Sequence, residues 1–474
     1  WAPGDRRVAQ AGSAAPARIV AGVRSPDHEV AKQFVARGVE IHVADYARPE
    51  TLVTAFQGID RLLLISSSAS RVGYRAIASP ASLDLWYVAP PARPTVKAPM
   101  SPPTTPMLQE FEALEDPRQS ARCLYPLQEM LLVALCAVCS DADDWVHVAE
   151  WGRYKLAWLR KWLPFEQGVA SHDTFSRLFG LLDPKVFEAC FVRWMQRLSP
   201  ALAGQSIAID GKSLRGSHEG GADMAHIVSA WHVERGVTLG LLRTAAKSNE
   251  ITAIPELLQA LDVHGATVTL DALGCQREIV EQLVERKADY VIALKNNQSG
   301  LAEAVEALFD APEHPQAEAH EPLDKANGRL HTRRCRVCPA QRLPEALRQR
   351  WPGLRSAVRI ESTREVLKGR KSAGPVTEWR YYISSRELPA AEFSQIIQQH
   401  WHIENRCHWV LDVIFDEDAC RVRRDHGAEN MALMRRITLN LIRTDTSKGS
   451  VKLKRHRAAW NDDFLAQLLG LQLV

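Results

Sequence analysis

Two short apolar runs each end in a carboxylate: "SIAID" closes on Asp210 and "ATVTLD" on Asp271. A third carboxylate, Glu404, sits inside "HWHIENRCHWVLDVIFDED" (400–418), among tryptophans, histidines and an asparagine. An aspartate ending an apolar run also makes turns, because its side chain bonds nearby backbone. The pair says more than either residue alone. If the two runs are neighbouring strands, both carboxylates emerge at one sheet edge and can share a hard divalent cation. Mg2+ takes oxygen ligands, retained waters and substrate phosphates, so three carboxylates suffice. Two such ions, roughly 4 Å apart, activate an attacking oxygen and stabilise the leaving one in phosphoryl displacement.

Glu404, His408 and Asp412 fall at i, i+4 and i+8, which is one stripe of a helix. Trp401, Trp409, Val410 and Val413 can then pack around that helix and hold it rigid. Two other readings of the stripe stay open. One is a solvent-facing polar face. The other is a zinc site on Glu404 and His408, for which the chain offers no HExxH and no evident third ligand.

The elements that must position these residues begin at Gln205. "SIAID" reads as a strand, and "HIVSAWHV" and "VTLGLLR" as a hairpin around "ERG". "SNEITAIPELLQALDVHG" reads as a capped helix, "ATVTLD" as a strand, "CQREIVEQLVERKA" as a helix and "DYVIALK" as a strand. Three antiparallel strands followed by parallel ones give a ribonuclease-H-like mixed sheet. Residues 299–393 interrupt the pattern with short helical pieces and the strand candidates "HTRRCRVC", "SAVRIEST" and "WRYYISS".

Upstream, residues 108–199 read as mostly helical. Trp145, Val148, Trp151, Trp158, Leu159 and Trp162 recur at helical spacing and belong to a core. Residues 71–107 are rich in proline, alanine and serine and read as linker. Residue 1 is tryptophan and the first methionine is Met100, so the front of the chain is expected to be a fused, severed fragment. Within it, residues 17–66 alternate strand and helix patterns, a piece of a Rossmann-type layer. "AGVRSP", "GVEIHVADY" and "GIDRLLLIS" resemble the NmrA-like NAD(P)H-binding family, in which the position of Arg24 would face a cofactor phosphate. The glycine-rich phosphate turn is missing, since "AQAGSAAPA" is not GxGxxG. No nicotinamide cofactor is expected.

The chain has 474 residues, room for two or three domains, and a net charge of +3. Basic residues are clustered all the same. "RLHTRRCR" (329–336) holds four arginines, 421–443 holds six, and "KGSVKLKRHR" (448–457) holds five basic residues and no acid. Such clusters suit a polyanion-binding face, and equally a set of solvated helix faces. The nine cysteines include the CxxC pairs Cys136/Cys139 and Cys335/Cys338. These lie too far apart for one compact zinc site, and the first pair sits in an apolar helical run. The longest apolar run is too short to span a bilayer and no signal peptide is visible, so the expected location is cytoplasmic, with no membrane partner.

From about Leu108 onward the motifs fall in a family order. "LEDPR", "GVASHDTFSRLF", "IAIDGKSLRGS", "KSNEITAIPELL", "VTLDALGCQ", "VIALKNNQ", "HWHIENRCHWVLDVIFDED" and "ENMALMRRITLNLIR" resemble the DDE transposases of bacterial insertion sequences, in the H-repeat-associated group. The resemblance implies an α/β ribonuclease-H-like core with an inserted β-rich segment. It implies Asp210, Asp271 and Glu404 as a triad holding Mg2+, for which Mn2+ can substitute. It implies cutting at the ends of a mobile element and joining of the freed 3′-hydroxyls to target DNA, by a homodimer on DNA. Lys212, Arg215, Lys247, Lys295, Arg435 and Arg436 are the candidate DNA contacts, with Asn405 and His408 supporting Glu404. Where the family commonly has an HGRIE-like stretch, this chain has "NGRLH", with Asn327 and His331 in place of His and Glu. His400 and Leu411 stand at the Arg and Lys positions of the Tyr-Arg-Glu-Lys signature found in neighbouring groups. The alternative function is a catalytically inactive DNA-binding remnant.

The expected division is therefore a truncated Rossmann-like fragment at 1–70, a linker at 71–107 and a helical domain at 108–199. A catalytic domain follows at 200–445, with its insertion at about 299–393, and then a basic tail at 446–474.

Overall fold

The computed structural model describes residues 106–471 apart from 120–122, 199–201, 218–224, 245–249, 312–316, 321–323, 327–328 and 367–374, together with short pieces before residue 79. The chain splits into two compact units, Trp1–Pro99 and Met100–Val474.

In the first unit, β1 (Val20–Val23) and β2 (Glu40–Val43) pair in parallel. A parallel pair needs a crossover, and helical residues at Lys32, Val35 and Ala36 lie between the two strands. Among the described residues, β3 (Leu62–Leu63) is not paired with this layer. It pairs antiparallel with β4 (Ile77–Ala78) in a separate two-stranded sheet. Among the described residues the layer expected over 17–66 is seen as the β1–β2 pair, and β4 falls within the stretch read as linker. A local antiparallel pairing needs no crossover element, and that is the arrangement these short strands take. Arg24 and residues 79–105 lie outside the described residues.

The second unit opens with the helices α1 (Pro106–Phe111), α2 (Leu127–Cys139), α3 (Trp145–Tyr154), α4 (Leu156–Leu159), α5 (His172–Leu181) and α6 (Pro184–Leu198). α2 is apolar on nearly all sides and is buried accordingly, Cys136 and Cys139 included. Asp144 caps α3 by accepting the His147 N–H at 2.8 Å. Trp145 stacks on Phe179 with ring centroids 4.5 Å apart, and Trp158 meets Trp162 edge-on at 5.7 Å. These tryptophans are core, as their spacing predicts.

β5 (Ser206–Ser213), β6 (His226–His232) and β7 (Val237–Thr244) follow as an antiparallel meander. Then α7 (Glu250–Ala260) leads to β8 (Thr267–Leu270), parallel to β5, and α8 (Arg277–Glu285) leads to β9 (Asp289–Leu294), parallel to β8. The spatial order is β7–β6–β5–β8–β9. Every residue of β6 is buried, and all of β7 except Arg243, so both faces of the sheet are covered.

The stretch 299–393 reads in the sequence as an interruption. In the structure it enlarges the same sheet. It contains α9 (Ser299–Asp310), β10 (Ala317–His320), β11 (Asp324–Ala326), β12 (Arg329–Pro339), α10 (Glu345–Arg350), β13 (Ser356–Val366) and β14 (Val376–Ser384). β14 lies antiparallel to β9, with Ile383 opposite Ile292, which makes one ten-stranded mixed sheet. Pairing covers the apolar β9, which would otherwise present an open edge. Cys335 and Cys338 on β12 are buried core residues.

Last come α11 (Ala390–His400), a π-helical turn at Ile403–His408, α12 (Trp409–Ile414), α13 (Gly427–Thr444), α14 (Val451–Trp460) and α15 (Asp462–Leu469). α13 is buried on nearly every side and packs on α2, α5 and β7. The expected basic tail at 446–474 is corrected: α14 and α15 pack back onto α2. Their buried cations are neutralised, Lys454 by Asp445 at 2.9 Å and Arg455 by Asp141 and Asp143, each at 2.9 Å. One hydrophobic core runs from Phe111 to Leu471, so the helices at 108–199 share it with the sheet. Among the described residues no helix is long and apolar enough to cross a membrane.

Candidate active site

β5 and β8 run in parallel with Ile209 opposite Leu270, and on each the next residue is a carboxylate, Asp210 and Asp271. Neighbouring strands lie about 4.8 Å apart, and alternation sends in-register residues to one face. Asp210 stays within β5, opposite Ser229 of β6. Asp271 opens the loop after β8, where its Oδ1 accepts the N–H groups of Leu273 at 3.0 Å and Gly274 at 3.2 Å. The turn role left open by the sequence is therefore real for Asp271, and it anchors this carboxylate at the sheet edge.

Glu404 does not sit on a regular α-helix. The Trp409 N–H bonds the carbonyl of Glu404, five residues back, within the π turn. That wider turn breaks the expected stripe. Glu404 is exposed, whereas His408 is buried and Asp412 pairs with Lys212 of β5. With one residue outward and the other inward, the shared face that a zinc reading of Glu404 and His408 needs is absent. π turns inside helices frequently mark functional sites.

The packing around Glu404 also differs from expectation. Trp409 and Val413 are 55% and 54% exposed, so they brace nothing. Trp401 lies under the Arg380 guanidinium, 5.2 Å from its ring. The segment is held instead by Ile403, Cys407, Leu411 and Phe415, all fully buried. Their four-residue spacing was a signal in the sequence. Beside them, His400 Nδ1 and Thr269 Oγ1 are 2.8 Å apart, which ties α11 to β8 two residues before Asp271. Burial pushes the His400 imidazole down to about 4, so it makes this bond uncharged near neutrality.

The π turn packs on β5. His408 Nδ1 stands 3.6 Å from Asp210 Oδ2. Burial, with the Arg436 and Lys212 cations nearby, pushes His408 down to about 3. Burial raises Asp210 to about 7; the Gly211 N–H opposes this, and the negative charges of Asp271, Glu404 and Glu250 add to it. Burial also raises Asp271 and Glu404, against the pull of Lys295 on the first and Arg380 on the second. The edge thus gathers hard oxygen donors with more negative than positive charge, a donor set that fits Mg2+ or Mn2+ and not a soft metal. Among the described residues, no group of three or more His, Cys, Asp or Glu side chains is placed so that it could hold a metal ion.

The candidate DNA contacts divide. Lys295 is exposed beside Asp271, and Arg215 is 79% exposed, 3.5 Å from Asp418. Asn405 is exposed next to Glu404. Lys247 and Asn327 lie outside the described residues. Lys212 is buried and held by Asp412, by Glu417 at 2.8 Å and by Asp418 at 3.3 Å, so its ammonium is already spent on protein carboxylates. Arg435 and Arg436 are corrected outright. Both are buried in α13, where Arg435 donates to the Asp143 carbonyl at 3.0 Å and Arg436 to Glu417 at 2.9 Å. No phosphate reaches them in this fold. Arg421, Arg423 and Arg424, just before α13, are the exposed part of that cluster.

Comparison with known proteins places the chain in a family. The family described as DDE_Tnp_1-associated matches residues 108–195, and the Transposase DDE domain family matches residues 202–441. YncI of Escherichia coli O157:H7, which carries a transposase name, is 37% identical over 371 residues, 77% of this chain and 94% of its own. YhhI of Escherichia coli K12, named as an H-repeat-associated transposase, is 35% identical over 372 residues, 77% of this chain and 97% of its own. A shorter K12 relative, named inactive transposase YbfQ, is 31% identical over 72 residues, 15% of this chain and 86% of its own. A piggyBac transposase in a synaptic complex with hairpin DNA superposes over 76% of each chain with a TM-score of 0.37 at 10% identity, too distant to bear on the fold. The matches over residues 108–195 and 202–441, with relatives aligned along nearly their whole length, establish that the chain belongs to the DDE transposases of the H-repeat-associated kind.

Proposed function

We propose that this chain cuts DNA at the ends of an insertion sequence and joins the freed 3′-hydroxyls to target DNA, with Asp210, Asp271 and Glu404 holding Mg2+. The observation that carries the reading is the pairing of two adjacent parallel strands whose in-register residues Ile209 and Leu270 are each followed by a carboxylate, with the π turn of Glu404 packed on the first strand. The strand order β7–β6–β5–β8–β9 supports a ribonuclease-H-like core. Bound divalent cations would activate the attacking oxygen and stabilise the leaving one. The protein's part is to hold three carboxylates at one edge, with neutral His408 behind Asp210 and His400 fixing α11 to β8. Arg215 and Lys295 contact the phosphate backbone, Lys247 joins them, and Asn405 orients Glu404 or a bound water. A homodimer pairs two element ends.

The test is Mg2+-dependent nicking and strand transfer by the full chain, on DNA from the borders of its own gene, beside an Asp210→Ala control. Cleavage at a defined border that is lost in the control is the expected result. Binding without cleavage by either protein, with Mn2+ also tried, would leave the inactive-remnant reading. DNA affinity should fall with salt as neutralised phosphates release counterions. A flat dependence of log K on log salt would sink the DNA-binding claim.

A further inference from the structure

The strands of 299–393 carry one face of the candidate site outward. β8 and β9 pair with Leu270 opposite Ile292, so the row after Ile209, Leu270 and Ile292 is Asp210, Asp271 and Ala293. Ala293 lies opposite Tyr382 of β14, which puts Tyr382 on the face of the two aspartates. Arg380, two residues earlier on β14, is on that face too. β14 runs antiparallel to β9, so this step leads past Leu294, the end of β9, and beyond the row of the aspartates. β13 and β14 continue there as a paired ribbon, with Arg380 opposite Ile360, Glu378 opposite Ser362 and Val376 opposite Arg364. On these two strands the outer part of the face therefore holds Arg380 and Arg364 against one carboxylate, Glu378.

α11 covers the inner part of the face, where Phe393, Ile396 and Ile397 share a core with Val358, Ile360 and Tyr382. Where α11 ends, the face opens, and Arg380, Glu378 and Arg364 are exposed. The Arg380 guanidinium lies on Trp401, 5.2 Å from its ring. Trp401 is one turn before Glu404, since its carbonyl accepts the Asn405 N–H at 3.1 Å. A guanidinium stacked on an indole is already oriented and keeps its fork of N–H donors for an oxyanion. Glu378 holds Arg380 at 3.3 Å from an exposed position. The opposite face of the same strands is charge-matched: Arg334 and Arg336 meet Glu318 at 3.0 and 3.1 Å, and Arg359 meets Asp310 at 3.3 Å. The excess of positive charge lies on the face continuous with Asp210 and Asp271. We propose that this ribbon face, through Arg380 and Arg364, grips backbone phosphates of the DNA that enters the edge at Asp210, Asp271 and Glu404. The two arginines stand four residues apart along the ribbon, about 14 Å, within reach of a few phosphates of one strand. This rests on the reading of those three carboxylates as the site that cuts DNA.

The test is binding of the full chain, without metal, to duplex DNA from the borders of its gene across a salt series, read by fluorescence anisotropy. Each neutralised phosphate adds about 0.9 to the steepness of log K against log salt. Arg380→Gln and Arg364→Gln are each expected to flatten that slope by about one phosphate, and the double variant by about two. Arg336→Gln, on the opposite face, should keep the wild-type slope. A wild-type slope in either single variant overturns the proposal, and so does an equal loss in Arg336→Gln. If wild type itself shows no salt dependence, the DNA-binding reading fails and takes the proposal with it. Should Arg380→Gln not fold, Glu378→Gln carries the test: it releases the guanidinium and is expected to tighten binding several-fold. Wild-type affinity in that variant overturns the proposal as well.

Discussion

Strand β5 sends two residues into two different kinds of buried charge. Asp210 enters the acidic edge. Lys212, two residues on, enters a block of paired charges of both signs: Lys212 with Asp412, Glu417 and Asp418, and Glu417 with Arg436 at 2.9 Å. Burial pushes both Glu417 and Asp210 upward. In the block, Arg436, Lys212 and Arg435 overcome that push and hold Glu417 at about 2. At the edge, neighbouring carboxylates reinforce it and Asp210 stands at about 7. The same desolvation gives opposite outcomes because the partners differ in sign. The paired block serves the fold. The unmatched edge is where an outside cation has most to gain.

This contrast can be broken by mutation. The largest expected effect is at the edge: Asp210→Ala, Asp271→Ala or Glu404→Ala should each lower border cleavage about a thousandfold or more while DNA binding persists. Normal cleavage by any one of them shows that residue to be misassigned. Next comes the block. Glu417→Ala strands Arg436 in the interior and should lower unfolding stability by about 3–5 kcal/mol, read from urea denaturation. Asp210→Ala in the same assay should cost little, since it relieves repulsion. If the two variants lose equal stability, the distinction between edge and block fails.

A smaller effect is expected from pH. Glu417 is depressed from 4.5 to about 2 in the fold. Its contribution is fully present above about pH 4.5 and is lost as pH falls toward about 2, roughly 3 kcal/mol in all. Wild type should show this acid-side loss and Glu417→Gln should not; parallel curves would count against the pairing with Arg436 and Lys212. Smallest of all, Thr269→Val removes the bond to His400 and should cost about 1 kcal/mol in a thermal melt.

Much of the edge was legible in the sequence. An apolar run closing on Asp marks a strand and its carboxylate, although β5 runs on past Asp210 to Ser213, and the order of runs from 205 to 294 is the order of β5 to β9. The core tryptophans were legible for the same reason, because spacing reports which face is buried. The matched block was not. A run such as "MRRITLNLIR" shows the sign of its charges but not their partners, and Glu417 reaches Arg436 only once the chain has folded back. The π turn hid behind an i, i+4, i+8 pattern drawn through polar residues. The apolar stripe 403, 407, 411, 415 repeats every four residues, longer than the 3.6 of an α-helix, and it was the better guide. That 299–393 would extend the sheet could not be read, because its strands give no sign of which edge they join.

The packing of α14 onto α2 has a consequence for how the molecule is made. Arg455 Nη2 donates to the Val138 carbonyl at 3.1 Å, across 317 residues of sequence. On the ribosome, the first helices of this unit emerge long before that guanidinium exists. They must wait, partly unburied, until the segment that carries Arg455 has been synthesised, and contacts of such sequence separation slow folding. A product truncated by premature termination would lack this closure.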